Sequence, residues 1–548
     1  MPANRIVRGT MSTTPSAPHP RPAEFHVYDT TLRDGAQQEG LRLSVQDKLR
    51  IAGYLDELGV DYIEGGWPGA NPNDTAFFAA ATSGELTLKN ATLTAFGFTR
   101  RVGGLAADDP LTAALRDSGA TVACVVAKSH DQHVLRALRT TLEENLAMIT
   151  DTVSHLVAEG QRVFLDCEHF FDGFRENKAY ALEVVRTAMA AGAEVAVLCD
   201  TNGGMLPSWV GEIVGEVAER TDARLGMHAH NDTGCAVANT LAAVDAGAMH
   251  VQGTINGYGE RTGNADLVPI VANLELKYGW QLLPAGSLAE ATRLSHAIAE
   301  VTNVPPSNRQ PYVGLSSFAH KAGLHASAIK VDPNLYQHID PALVGNDMRM
   351  LVSDMAGRAN IQIKGGELGF DLSDRDLAAK ITDKVKEREA AGYTYEGADA
   401  SFELLLRGEL DQLPEFFVAR SWRVFTQSGR DGEVDTEATI QLQAGDTTTR
   451  VVGDGNGPVN ALDHALRQAL LPAYPEVEQF ELSDYRVRIL DQGHGTDATI
   501  RVLIQTTDGL HTWTTVGVGQ NVIDASWEAL SEAYSYGLLR SGVTIPES

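Results

Sequence analysis

One pattern recurs between residues 50 and 255 and limits the folds open to this chain. An amphipathic segment ends on glycine, two to four residues follow, and a short apolar run begins. The pattern is visible in "ELGVDYIEGGW" at Gly59, "DSGATVACVVAK" at Gly119, "AEGQRVFLDCEHF" at Gly160, "AAGAEVAVLCDTNG" at Gly192 and "DAGAMHVQGTING" at Gly247. Glycine just after a helix takes the left-handed conformation at little steric cost. The apolar runs are near-continuous rather than alternating, as parallel strands covered on both faces should be. The first predicted helix has Ser44 as its cap with Asp47 three residues on, and Leu49, Ala52, Leu55 and Leu58 on one face. Eight such runs, at 25–29, 61–66, 91–97, 121–127, 162–168, 194–200, 224–230 and 249–255, predict an α/β fold, a (β/α)8 TIM barrel over 24–285. An open doubly wound sheet is the alternative.

The remainder of the 548 residues reads differently. Residues 1–23 are rich in Pro, Ser and Thr and lack the apolar core of an export signal, so a structureless tail is expected. Residues 286–415 are mostly helical with an irregular centre, read as connector subdomains. From 416 to 548 the pattern is βββα twice, an internal repeat that predicts a C-terminal α+β regulatory domain. Each repeat's helix follows a Gly-X-Gly stretch, at Gly455 and Gly457 and at Gly517 and Gly519, which suits either an anion cradle or close backbone packing. Lys and Arg number 44 against 72 Asp and Glu, a net charge of −28. That balance argues against nucleic acid or an anionic membrane as partner, and no apolar run is long enough to span a bilayer. Cys124, Cys167, Cys199 and Cys235 form no close pair and are expected to be free thiols, buried in a reducing, cytoplasmic setting.

In such a barrel, function gathers at the C-terminal ends of the strands, and those ends are unusually polar here. They carry Arg33 and Asp34, Glu168 and His169, Asp200, Thr201 and Asn202, His228 and His230, then Glu260, Arg261 and Asn264. His228 and His230, two apart on a strand, project to one face. Two imidazoles, a carboxylate and an amide oxygen suit a divalent cation with open positions; rings bonded only to backbone or carboxylate are the plainer reading. With Asp34 on the metal, Arg33 is a candidate to face a developing oxyanion, against a surface salt bridge as alternative. Thr201 is a candidate for a substrate carboxylate and Glu168 for proton transfer. Phe96 and Phe98 are candidate walls of a side-chain pocket.

"DTTLRDGAQ", "HAHND" and "NGYGERTGN" resemble the 2-isopropylmalate, homocitrate and citramalate synthases, metal-dependent TIM-barrel acyltransferases that join acetyl-CoA to a 2-oxo acid. The resemblance runs from about residue 24 to the C-terminus. "YIEGGWPGANPND", "DCEHFFDGF", "VLCDTNGG" and "FAHKAGLHASA" are more similar to the citramalate-forming branch. That implies pyruvate as substrate, a step toward isoleucine, an isoleucine effector at the C-terminal domain, and a homodimer. It also implies Asp34, His228, His230 and Asn264 as ligands of Mg, Mn or Zn, with Arg33, Glu168 and Thr201 around the 2-oxo acid. His325 is implied as a candidate base, in competition with Glu168, and Tyr336 as its neighbour. Some relatives carry Asp two residues after that histidine; this chain has Ser327, so no orienting role transfers. A 2-isopropylmalate synthase acting on 2-oxoisovalerate is the alternative. A carbon–carbon lyase of the same barrel would need a cysteine in "NGYGERTGN", which has none. A barrel that binds without catalysing would be expected to have lost one of Asp34, His228 or His230.

Overall fold

The structure, a computed structural model, describes residues 19, 20, 22, 25–352, 357–428, 433–490 and 498–545. Eight parallel strands close into a barrel: β1 (His26–Asp29), β2 (Tyr62–Gly66), β3 (Thr92–Phe98), β4 (Val122–Lys128), β5 (Arg162–Glu168), β6 (Val195–Asp200), β7 (Leu225–Ala229) and β8 (His250–Gly253). β8 pairs with β1 in parallel, His26 beside His250, and no edge remains open. The open-sheet alternative is thereby excluded.

Local chemistry explains the repeating unit. Ser44 and Asp47 form a reciprocal capping box at the start of the helix Val45–Leu58, and Gly59 ends it at φ 92°. Leu49, Ala52, Leu55 and Leu58 are buried beneath that helix. Aliphatic residues such as Val27, Ile63, Val125, Leu165 and Val251 pack between strands and helices. A separate cluster that includes Tyr28, Tyr62, Cys124, Phe164 and Val197 fills the interior. All four cysteines are free; three are buried and Cys235 is half-buried. His19–Pro20, within the segment expected to lack structure, pair with Trp280–Gln281; residues 1–18 of that expected tail lie outside the described residues.

The chain forms two compact units. One comprises the residues up to Phe318 with His338–Asp347, the other Ala319–Gln337 with Met348 onward. The segment 286–415 is thus shared between them: the helix Ala291–Thr302 buries Leu294 and Ile298 in the barrel unit's core, while the helices Gly323–Ile329, Arg358–Glu367, Arg375–Ala390 and Asp399–Glu409 belong to the second unit.

The second unit ends in the expected βββα repeat. β9 (Val418–Ser428), β10 (Val434–Ala444) and β11 (Thr447–Gly455) form one antiparallel sheet, followed by the helix Pro458–Leu470. β12 (Glu481–Ile489), β13 (Ile500–Thr507) and β14 (Thr512–Gly519) form the other, followed by the helix Val522–Arg540. Tyr534 on the second helix donates to Asp463 on the first at 2.8 Å. The glycines of the third strands serve close packing: a Cβ at Gly453 would lie 2.5 Å from the amide nitrogen of Ala465, and one at Gly517 2.0 Å from the carbonyl oxygen of Ala525. Glu532, on the second helix, accepts from the Ser401 hydroxyl. Burial, with Glu528 nearby, pushes its carboxyl up to about 8.

Candidate active site

The turn after β1, the end of β7 and the loop after β8 converge at the barrel mouth. The Nε2 atoms of His228 and His230 lie 3.2 and 3.4 Å from Asp34 Oδ2. One donor atom from each of the three residues lies within 4.8 Å of the other two, and all three side chains are buried. Asn264, bridged to His230 by backbone, donates its Nδ2 to Asp34 Oδ2 at 2.7 Å. Its Oδ1 is buried with no partner. The loop can wrap Asn264 this closely only through glycine. At Gly259, with φ 154°, a Cβ would stand 1.9 Å from Asn264 Oδ1; at Gly263, with φ 91°, it would stand 2.0 Å from the Gly257 carbonyl oxygen.

Burial alone would raise the Asp34 carboxyl, but the Arg33 charge and hydrogen bonds from both histidines hold it well below the usual range. Burial alone would lower His228, but the hydrogen bond and charge of Asp34 raise it on balance. An anionic centre framed by two imidazoles is suited to exchange protons for a cation.

Arg33 is tied in place rather than lying on the surface. Its Nε donates to Glu64 Oε2 at 2.6 Å, its Nη1 to Asp34 Oδ1 at 3.0 Å, and its guanidinium carbon sits 3.9 Å from the Phe96 ring centroid. Glu64, wholly buried in β2, also accepts from Tyr28 at 2.6 Å and Thr30 at 2.5 Å. A cavity of ≈ 890 Å³ opens here, lined by Arg33, Asp34, Phe96, Phe98, Glu168, Thr201, His228 and His230 among others. Thr201 Oγ1 accepts the His169 N–H at 2.9 Å. Glu168 is ion-paired with Lys128 at the end of β4. His325 and Tyr336 lie in the other compact unit, where their rings stack with centroids 4.1 Å apart.

Sequence reasoning missed several cavity and interior residues. Trp67 packs on Phe98 at 4.8 Å and on Phe96 at 6.0 Å. Its loop is pinned by Asp74, which accepts the Trp67 N–H at 2.9 Å and the ammonium of Lys48. Glu64, Lys128, Asp166 and Gln252 were passed over in or at the end of apolar strands. The available signal was polarity itself: a charged group, or an amide such as Gln252, in or at the end of a strand buried on both faces is costly and needs a partner.

The barrel and its mouth place the chain in the HMGL-like class, whose family model matches residues 24–297. The homocitrate synthase post-HMGL domain-like model follows at 312–392, and the LeuA allosteric (dimerisation) domain model at 396–538. An (R)-citramalate synthase of Streptomyces coelicolor is 65% identical over 95% of this chain and 98% of its own. One from Aquifex aeolicus is 48% identical over 94% and 98%. A probable 2-isopropylmalate synthase of Methanopyrus kandleri is 32% identical over 93% and 97%. The chain belongs to the (R)-citramalate synthase family. No helix among the described residues is long and apolar enough to cross a membrane.

Proposed function

We propose that this chain condenses acetyl-CoA with pyruvate and hydrolyses the thioester, releasing (R)-citramalate and CoA for isoleucine synthesis. The observation that carries the proposal is the convergence of Asp34, His228 and His230 at the mouth of a barrel whose near-full-length relatives bear that activity in their names. Their donors fit a divalent cation, Mg, Mn or Zn. The set is two imidazoles, one carboxylate and an amide whose oxygen is buried without a partner; exchanging the amide's O and N, which share one shape, would turn that oxygen toward the cluster. Bound there, the cation supplies Lewis-acid polarisation of the 2-oxo group.

The chain's own residues supply the rest. Arg33, held by Glu64, stabilises negative charge developing on the C2 oxygen. Thr201 uses its oxygen as acceptor for His169 and keeps its hydroxyl hydrogen for the substrate carboxylate. Phe96 and Phe98, with Trp67 packed on both, bound a space suited to a methyl group. A base removes a proton from the acetyl methyl. Glu168 already carries Lys128, which favours His325, with Tyr336 stacked on its ring. The resulting carbanion attacks C2, the alkoxide takes up a proton, and water cleaves the thioester to a carboxylate and the CoA thiol.

The working form we propose is a homodimer, with isoleucine as effector. A cavity of ≈ 640 Å³ in the repeat domain, lined by Val459, Leu482 and Ile523 beside Asp463 and Arg467, offers apolar surface and both charges to an amino acid. The test is a free-thiol assay of CoA release with pyruvate, 2-oxobutyrate and 2-oxoisovalerate. Pyruvate should give the highest kcat/KM. A preference for 2-oxoisovalerate would make the chain a 2-isopropylmalate synthase instead.

A further inference from the structure

β8 carries Gln252 into the barrel interior, where it is fully buried between groups from two other strands. Its Oε1 lies 2.7 Å from Nδ1 of His228 on β7, and its Nε2 donates to Oδ1 of Asp166 on β5 at 3.0 Å. β5 and β8 are not neighbours in the barrel order, so Asp166 and Gln252 meet only across the interior. Asp166 is 3% exposed, and nothing in the reaction outlined above uses either residue.

The directions of these hydrogen bonds follow from donor and acceptor chemistry. An ionised carboxylate only accepts, so the amide NH2 of Gln252 must face Asp166. The amide oxygen then faces His228. An acceptor at that point requires a proton on Nδ1, and a neutral imidazole protonated there has its lone pair on Nε2. Nε2 is the atom that lies 3.2 Å from Asp34 Oδ2. We propose that Asp166 and Gln252 form a directional relay that sets the tautomer and ring angle of His228, so that a bare Nε2 faces the cation. Both are positioning residues, and the proposal rests on the metal reading given above. A glutamine that merely filled space would be indifferent to which of its ends donates; this one is not.

The test reverses the relay. Full-length protein stripped with a chelator is titrated with Mn(II), and the dissociation constant is read by calorimetry or from the free-ion electron paramagnetic resonance signal. Gln252→Glu sets two carboxylates face to face and should weaken Mn(II) binding about 10- to 100-fold. Asp166→Asn retains an acceptor for Gln252 and should stay within about 3-fold of the natural chain. The double variant Q252E/D166N restores one donor and one acceptor with the order exchanged: the carboxylate introduced on β8 accepts both from the amide introduced on β5 and from His228. It should regain affinity to within about 3-fold of the natural chain. Natural-strength binding in Q252E, or a double variant no better than Q252E, overturns the relay. If Q252E does not fold, Gln252→Met, of similar length and without hydrogen bonds, takes its place, with about 10-fold weaker binding expected and unchanged binding overturning the relay. A natural chain that takes up no Mn(II) overturns the metal reading itself.

Discussion

In β10, Ala438, Ile440 and Leu442 form one buried face with Thr436, exposed Glu437 and Gln441 point to the other, and Thr439 between them is buried as well. In β2 and β5 of the barrel, Glu64 and Asp166 are buried inside strands covered on both sides. The C-terminal sheets largely follow the alternation of a sheet with one wet face, and the polar side chains their strands bury are uncharged threonines, Thr436, Thr439, Thr506 and Thr515. The barrel instead desolvates carboxylates, and each is met by specific partners: Tyr28, Thr30 and Arg33 on Glu64, and Gln252 on Asp166. Buried charge of this kind is costly, and it is concentrated where chemistry is proposed. The repeats carry their least exposed acids on helices: Asp463 is buried and Glu532 half-buried.

The sharpest test of that contrast is His228→Ala. It should remove Mn(II) binding and lower turnover about 10³-fold, several kcal/mol of transition-state stabilisation, while leaving the far-ultraviolet circular dichroism unchanged. Full turnover without metal would erase the distinction between the regions. Next comes Gly259→Ala, whose Cβ would strike Asn264 Oδ1; metal affinity should fall about 10- to 100-fold, read by the same titration. In the repeats, Gly517→Ala meets the Ala525 carbonyl and should cost about 1–3 kcal/mol of stability in a urea titration, with Mn(II) affinity unchanged below the transition. A loss of metal affinity there would break the comparison.

A pH dependence of similar size tests the same contrast. Folded Glu532 keeps its proton up to about 8 because of burial and the Glu528 charge, with Ser401 and Arg388 opposing, whereas an unfolded glutamate loses it near about 4.3. Between those values the folded chain holds more protons. Its contribution to stability is therefore full below about 4.3 and declines as pH rises toward about 8. Compared with Glu532→Gln, the natural chain should lose on the order of 1–3 kcal/mol across that window, measured as the difference between the two denaturation midpoints. Parallel midpoint curves would remove the carboxyl from the account.

The barrel was legible because its signal is repeated: one glycine-closed helix per unit, each followed by an apolar run, allows few closures. The mouth was legible because polar residues stand where apolar strands end. Glu64, Asp166 and Gln252 were not, since a single polar letter within "YIEGG", "FLDCE" or "HVQG" does not say which interior layer it enters. Asp166 and Gln252 are 86 positions apart, and only barrel closure brings their strands face to face. Lys128 was missed for another reason: it follows the predicted strand 121–127, and only the register of two neighbouring strands sets it beside Glu168. The Gly-X-Gly stretches left two readings open because the crowding a Cβ would meet, 2.4 Å from the Ala461 nitrogen at Gly455 and 2.0 Å from the Ala525 carbonyl oxygen at Gly517, is a property of the partner helix, which the glycines themselves do not encode.

Glu64 receives three donors, and this fixes how the guanidinium above it can respond to a guest. With Nε clamped and the ring of Phe96 beneath, Arg33 has little freedom to swing toward an incoming anion. A tight-binding inhibitor of this mouth must therefore bring its oxygen to the cation, and analogues differing by a single bond length should separate widely in potency.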